Sequence, residues 1–353
     1  MFKVDGSAGP GISGDQLEEL RARLRVLTPK FALLLDVARR LPGAEGGLSR
    51  REAHAVARGL ERVWHIMRLL RLLSEYFGDR LFFGGGSVLN YVYMVRHGEP
   101  PRLTFDLDSA WHRRVASKRV VIGGMLKFNR WLAENGLTLD LPVAPKRFAK
   151  LFVVEYDAEK DHFPTLLSLR VPVITRYDGR PFHEFLGIQD FNLIEGLRGV
   201  FEEELGVRDP RIDYVRLEVS LDPGEMPREE ATLEDAFGTA VRAWVTKLEY
   251  QLASKITFKV AWDFGPDLEY NLHDVLKAML DLRLLAYADK ESVRRHAGPL
   301  DASPVKRNLD SLLSPRARGI WENNYHYTLV RKKYTLEELV ERVSTLVAEV
   351  LGR

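Results

Sequence analysis

The sequence predicts an α+β protein, and three observations carry that reading. Apolar residues recur at helical spacing over residues 15–41 and 50–77; polar and apolar residues alternate strictly in two short central stretches; and helical spacing returns from about Thr232 to the end. The implied organisation is an N-terminal helical pair over 1–78, a core over 79–230 and a helical C-terminal domain over 231–353, with soft borders because no long linker, repeat or low-complexity tract marks them.

Leucines and valines at three- and four-residue steps define the two N-terminal helices, and Ser49 followed by Glu52 forms a capping box that opens the second. Arg80-Leu-Phe-Phe83 then breaks into Gly84-Gly85-Gly86, and Ser87–Met94 follows, which reads as strand end, tight turn and new helix. After Pro100-Pro101, Arg102–Asp108 alternates over seven residues as a half-buried strand does, placing Thr104, Asp106 and Asp108 on one face. Residues 110–136 read as helix, and 151–156 and 166–175 as strands. Tyr214–Ser220 alternates again, with Val215, Leu217 and Val219 on one face and Arg216 and Glu218 on the other. Helices are expected over Phe237–Trp262, His273–Ala288 and Pro304–Leu313, with a last one opened by the capping box Thr335-Leu-Glu-Glu338.

Composition narrows the chemistry. The chain has no cysteine, which excludes disulfides, zinc-thiolate sites and thiol nucleophiles and leaves oxygen or imidazole ligands for any metal. No stretch approaches the roughly 18 uninterrupted apolar residues of a membrane span, and the N-terminus lacks the apolar core of a signal peptide, so a cytoplasmic location with no membrane partner is expected. The net charge of +2 argues for nothing by itself. Local basic clusters are more informative: Arg113, Arg114, Lys118 and Arg119; Lys146, Arg147 and Lys150; and Arg331, Lys332 and Lys333. Their crowding around the acidic strand fits a nucleic-acid partner, although such clusters are usually solvated faces. The six tryptophans and the pair Tyr91 and Tyr93 read as core rather than base-stacking platforms.

Two aspartates on alternate residues of one strand project side by side, close enough to grip one or two divalent cations as in phosphoryl transfer. Glycines ahead of a helix N-terminus expose bare amides and allow a phosphate close approach. The glycine run has neither the Gly-Lys-Ser/Thr ending of a P-loop nor dinucleotide-fold spacing, so order carries the weight: glycine turn, helix, then acidic strand within about twenty residues.

Gly85-Gly86-Ser87-Val88-Leu89 followed by Arg102-x-Thr104-x-Asp106-Leu-Asp108 resembles the paired signature of the AbiEii/AbiGii-type nucleotidyltransferase toxins of the DNA polymerase β superfamily, Gly-Gly-Thr-Ala-Leu and then Arg-x-Ser-x-Asp-hydrophobic-Asp. Val215–Ser220 resembles that family's later acidic strand, and Leu252-Ala-Ser-Lys-Ile256 its lysine-bearing helix, so the landmarks span residues 84 to about 280. The resemblance implies a polymerase-β-like core, a small mixed sheet flanked by helices. It implies that Asp106 and Asp108 hold Mg2+ or Mn2+, that Gly85, Gly86 and Ser87 cradle the phosphates of a nucleoside triphosphate with Arg102 and Thr104 beside them, and that Lys255 contacts the triphosphate. Glu218 would be the third carboxylate and candidate base, with Glu155 and Asp213 as alternatives. The implied reaction moves a nucleoside monophosphate to an RNA hydroxyl, a tRNA end being the leading acceptor, or to a protein hydroxyl, with a cognate antitoxin as partner.

The sequence departs from the family at its Arg-Asp-x-x-Asp element. The nearest candidate is Tyr270-Asn-Leu-His-Asp274, which makes Asp274 the implied site residue there; an alternative alignment puts Lys277 at the second aspartate. Two other readings compete with nucleotidyl transfer: a catalytically silent nucleotide- or RNA-binding regulator, and a phosphotransferase that moves the γ-phosphate.

Overall fold

The computed structural model describes residues 13–112, 116–144, 147–188 and 191–352. Arg113, Arg114 and Lys146 of the basic clusters lie outside the described residues.

Pro29 interrupts the first helical stretch, giving α1 (Gly14–Leu27) and α2 (Phe31–Arg40) where one continuous helix was expected. Helix α3 (Arg50–Phe77) follows, and its capping box is formed as predicted, with Ser49 and Glu52 satisfying each other's amides. The strand β1 (Leu81–Gly84) leads through the glycine turn into α4, which starts at Gly85–Val88 and continues as a π-helical stretch, Leu89–Met94.

The acidic strand is shifted relative to its sequence pattern. The alternating run 102–108 was expected to be strand throughout, yet the strand β2 is Asp106–Trp111. Arg102–Thr104 find other partners for their amides: Arg102 N–H donates to Asn90 Oδ1 at 2.9 Å, Leu103 N–H to the His326 carbonyl at 2.9 Å and Thr104 N–H to the Tyr91 hydroxyl at 2.8 Å. The helix expected from residue 110 starts later, as α5 (Lys118–Glu134), after a Ser117 cap.

Within the expected strand 151–156 the chain turns at Phe152, whose φ of 61° is left-handed, so a hairpin of β3 (Leu139–Ala144) and β4 (Arg147–Leu151) ends there and β5 (Glu155–Tyr156) starts anew. Next come β6 (Leu166–Thr175), β7 (Arg180–Pro181), α6 (Phe182–Leu186), α7 (Phe191–Leu205) and β8 (Arg211–Ser220). The helix expected over Phe237–Trp262 is corrected more substantially. It is preceded by an antiparallel pair, β9 (Arg228–Glu234) and β10 (Ala240–Thr246), and the helix α8 covers only Leu248–Lys255 before a π-helical turn at Ile256–Val260. Val241, Ala243 and Val245 alternate as buried residues, and pairing with β9 and β1 outweighs any helical preference of that stretch. The sequence-based border near residue 230 therefore falls inside β9.

The main sheet has the order β5-β6-β8-β2-β1-β10-β9, with β7 alongside β8. Neighbours β2 and β8 run parallel, as do β1 and β10; the other pairs are antiparallel. This is an α+β fold with a mixed sheet flanked by helices. One face of the central strands is apolar: Leu107, Leu217 and Val219 are fully buried, and Phe77 at the end of α3 packs edge-on to Trp111. The opposite face carries Asp106, Asp108, Arg216 and Glu218. Over it stand α8 and α9 (Leu268–Leu282), followed by α10 (Lys290–Ala297), α11 (Ala302–Ser311), α12 (Pro315–Asn323), α13 (Thr328–Lys333) and α14 (Leu336–Leu351), the last with its predicted Thr335 capping box. Among the described residues no helix is long and apolar enough to cross a membrane.

Candidate active site

Antiparallel pairing of β1 with β2 sets Gly84 opposite Asp108, which brings the glycine turn against an acidic side chain. Gly85 has a φ of +69°, and a Cβ on it would overlap the Asp108 carboxylate. A Cβ on Gly86 would come within 2.7 Å of Arg102 Nη2 and 3.1 Å of Thr104 Oγ1. The glycines are thus required by the close approach of Asp108 and Arg102 to the backbone. Burial raises the pKa of Asp108, and Asp106 adds to that; Lys255, the Gly86 amide and Arg102 oppose it. Asp106 itself is exposed at the mouth.

Ser87 is fully buried, and its hydroxyl donates to the Asp106 carbonyl. The structure therefore gives this side chain a role in anchoring the acidic strand, in place of the expected hydroxyl facing a phosphate. Arg102 is committed as well: its Nε and Nη2 each donate to Asp281 at 2.9 Å. Lys255 Nζ stands 3.2 Å from the same carboxylate, and Asn90 Nδ2 donates to it at 2.9 Å while also donating to the Gly86 carbonyl. Burial would raise the pKa of Asp281, but Arg102 and Lys255 hold it at about 2.

Asn90 and Asp281 are residues of this candidate site that sequence reasoning missed. Asp281 did carry a signal: a carboxylate in the otherwise apolar run Ala278-Met-Leu-Asp-Leu282 must be paired to be buried. Moreover, Lys277-Ala-Met-Leu-Asp281 has the spacing of Arg-Asp-x-x-Asp, with lysine at its first position and alanine at its second. Asp274 is placed elsewhere in the same cleft, bridging Lys259 and Lys277 at 3.2 Å each, and those lysines keep its pKa low against burial.

The carboxylate candidates separate cleanly by register. Glu218 pairs level with Asp108 on the neighbouring parallel strand, and burial, then Asp108 and Asp106, raise its pKa. Glu155 stands on β5, three strands from β2, which at the usual strand spacing is roughly 14 Å away. Asp213 is paired with Arg62 of α3.

Two cavities meet at this wall. The larger, a cleft of 530 Å³, is lined beside Gly86 and Thr104 by eight basic side chains (Arg62, Arg102, Arg170, Arg216, Lys160, Lys255, Lys259 and Lys277) and six acidic ones (Asp106, Asp108, Asp157, Glu159, Asp213 and Asp274), so cationic groups are in modest excess. The smaller, of 250 Å³, lies beside Gly84, Gly85, Glu218 and α8; Asp108 and Lys255 border both. Members of two other basic clusters are tied into the fold: Lys118 pairs with Asp161 at 2.7 Å, Lys332 with Glu52 at 2.9 Å, and Arg331 and Lys333 donate to backbone carbonyls. Among the described residues no three His, Asp or Glu side chains converge closely enough to hold a metal by themselves.

The class defined here is an α+β protein whose sheet presents a carboxylate pair, beside a glycine turn, to a basic cleft. Among solved structures, MenT4, a nucleotidyltransferase toxin from Mycobacterium tuberculosis H37Rv, is similar at 15% identity with a TM-score of 0.45, over 91% of this chain and 89% of that one. No family model matches the chain, and no curated protein matches it. A likeness that distant assigns no chemistry to individual residues, which must come from the cleft.

Proposed function

We propose that this chain is a metal-dependent nucleotidyltransferase that moves a nucleoside monophosphate from a nucleoside triphosphate to a hydroxyl acceptor. The observation that carries the reading is the row Asp106, Asp108 and Glu218 on one sheet face, backed by the Gly86 amide and faced by Lys255 at a basic cleft. The donor set suits magnesium or manganese, since Mg2+ is commonly held by one or two carboxylates with substrate phosphates completing the shell. Bound there, the ion would neutralise charge developing on the α-phosphate oxygens.

The chain's own groups supply the rest. Lys255, Lys259 and Lys277 offer charge to the β- and γ-phosphates. Glu218, with its pKa raised, is suited to accept the proton of the attacking hydroxyl. The acceptor oxygen then bonds to the α-phosphorus, the bond to the β-phosphate oxygen breaks, and pyrophosphate leaves. From the motif resemblance we take an RNA hydroxyl, with a tRNA end first, as the acceptor ahead of a protein hydroxyl, and a cytoplasmic toxin held by a cognate antitoxin as the biological setting.

The test uses nucleoside triphosphates labelled separately at the α- and γ-phosphates, with Mg2+ and total tRNA. Wild type is expected to transfer the α-label, and Asp106→Asn and Asp108→Asn to lose at least about a hundredfold of that rate. Transfer of γ-label instead would establish a phosphotransferase, and nucleotide binding without transfer to RNA or protein would establish a silent regulator.

A further inference from the structure

The acidic side chains of the cleft leave little there to hold an RNA. Its eight basic and six acidic groups come close to balance once a triphosphate, with about four negative charges, and one divalent ion join them. An acceptor that is itself a polyanion needs other cations. We infer that the body of that RNA docks in the groove formed by the end of α3, the end of β2 and α5, on the opposite face of the sheet. This rests on the nucleotidyltransferase reading for its choice of an RNA acceptor.

The groove, of 490 Å³, carries charge of one sign. Arg80, Arg119 and Lys127 stand exposed around it, and among the described residues no acidic side chain lines it. In a chain of 52 basic and 50 acidic residues such separation is not the default. Nor are these cations spent on the fold. Arg119 and Lys127 have no carboxylate partner among the described residues, unlike their neighbour Lys118, and the Arg80 guanidinium donates to the Phe77 and Tyr76 carbonyls. Beneath them lie the rings of Tyr76, Phe77 and Trp111, with centroids 4.9 and 5.4 Å apart in sequence order. Free cations above an apolar, largely aromatic floor suit phosphates with ribose and base edges below. The groove stays open because α5 has Gly123 there: a Cβ would meet nothing within 4 Å, so packing does not demand a residue that helix interiors disfavour.

Distance keeps these cations from the triphosphate. Trp111 is five residues along β2 from Asp106, roughly 17 Å, and its side chain takes the other face. An RNA touching both places must also round the sheet, about 10 Å more, which takes about eight base-pair steps of ~3.4 Å. A structured RNA spans that; a trinucleotide reaches the cleft alone.

The experiment is fluorescence anisotropy of the full chain with a labelled tRNA transcript and a labelled CCA trinucleotide over a range of salt. The double variant Arg119→Gln, Lys127→Gln should weaken the tRNA about tenfold or more at about 0.15 M salt, and reduce the slope of log affinity against log salt by about two. The trinucleotide should bind it as it binds wild type. Gly123→Leu, which fills the groove and keeps its charges, should weaken the tRNA about fivefold with the slope retained. Neither variant should melt below wild type. Unchanged tRNA affinity in either variant overturns the groove. So does poly-L-glutamate that displaces labelled tRNA from wild type as well as unlabelled tRNA of equal charge, which would assign the groove to an acidic protein. The α-label assay keeps the two readings apart: transfer by wild type with unaltered tRNA binding in the variants leaves the transferase without the groove, and lost tRNA affinity with no transfer by wild type leaves the groove without the transferase.

Discussion

Gly85 is where a single atom decides the site. Its φ of +69° is already unfavourable for a side chain, and a Cβ would occupy the space of the Asp108 carboxylate. Gly85→Ala should therefore cost about 2–3 kcal/mol in denaturant unfolding and abolish transfer, because Asp108 has to move. Gly187 offers the control: its φ is +62° with nothing near a Cβ, so Gly187→Ala should cost only about 1 kcal/mol and leave activity intact. Equal losses from both would mean that backbone strain, rather than the carboxylate contact, makes Gly85 necessary. Asp281 acts at the same scale. Its folded pKa of about 2 lies below the ordinary 3.8, so its contribution is complete above about pH 4 and fades as pH falls toward 2. That linkage is on the order of 2 kcal/mol. Removing the charge leaves buried Arg102 and its neighbour Lys255 without a counter-ion, so Asp281→Asn should lose about 3–5 kcal/mol at pH 7. Urea unfolding at pH 7 and pH 3 is the check: the gap between wild type and Asp281→Asn must narrow in acid, and a constant gap contradicts the pairing.

At the scale of elements, much of the fold was legible because local chemistry and tertiary structure agreed. Both capping boxes that open α3 and α14 form where Ser49-x-x-Glu52 and Thr335-x-x-Glu338 predict them, and the strand 166–175 matches residue for residue. The glycine turn was likewise readable from three glycines after an apolar run, and the carboxylates on one face and the polar row of β8 from period-two alternation. What was illegible depended on partners distant in sequence. Arg102–Thr104 alternates like a strand but bonds to Asn90, Tyr91 and His326. The stretch 240–246 becomes a strand because β1 offers it a parallel edge more than 150 residues away, which no local pattern announces. The Ser87 hydroxyl was assigned to phosphate since the turn suggested it, and only the proximity of the Asp106 carbonyl redirects it. Asp281 was hidden for a similar reason: its partners Asn90, Arg102 and Lys255 come from three separate segments.

For the whole molecule the question is whether sheet and C-terminal helices are separable units. Several buried polar links cross between them. Arg102, just ahead of β2, is joined to Asp281 of α9, and the Leu103 amide donates to the His326 carbonyl. Glu99, in the loop before β2, is 3% exposed and receives Tyr334 at 2.9 Å, Tyr287 at 3.1 Å, Arg342 at 3.1 Å and Arg283 at 3.4 Å, all from the helical part. Exposing either half would strand these charges: Arg283 is fully buried, and burial already lowers its pKa to about 10. The candidate site shares the dependence, because Lys255 comes from the helical side and Asp108 from the sheet. Calorimetric unfolding should therefore give a single transition, with calorimetric and van 't Hoff enthalpies equal within error. Glu99→Ala should destabilise the whole chain by about 3–5 kcal/mol, lowering that one melting temperature without splitting the peak. Two resolved transitions in wild type would show that the helical part folds on its own and that the site is assembled by docking between two independent bodies.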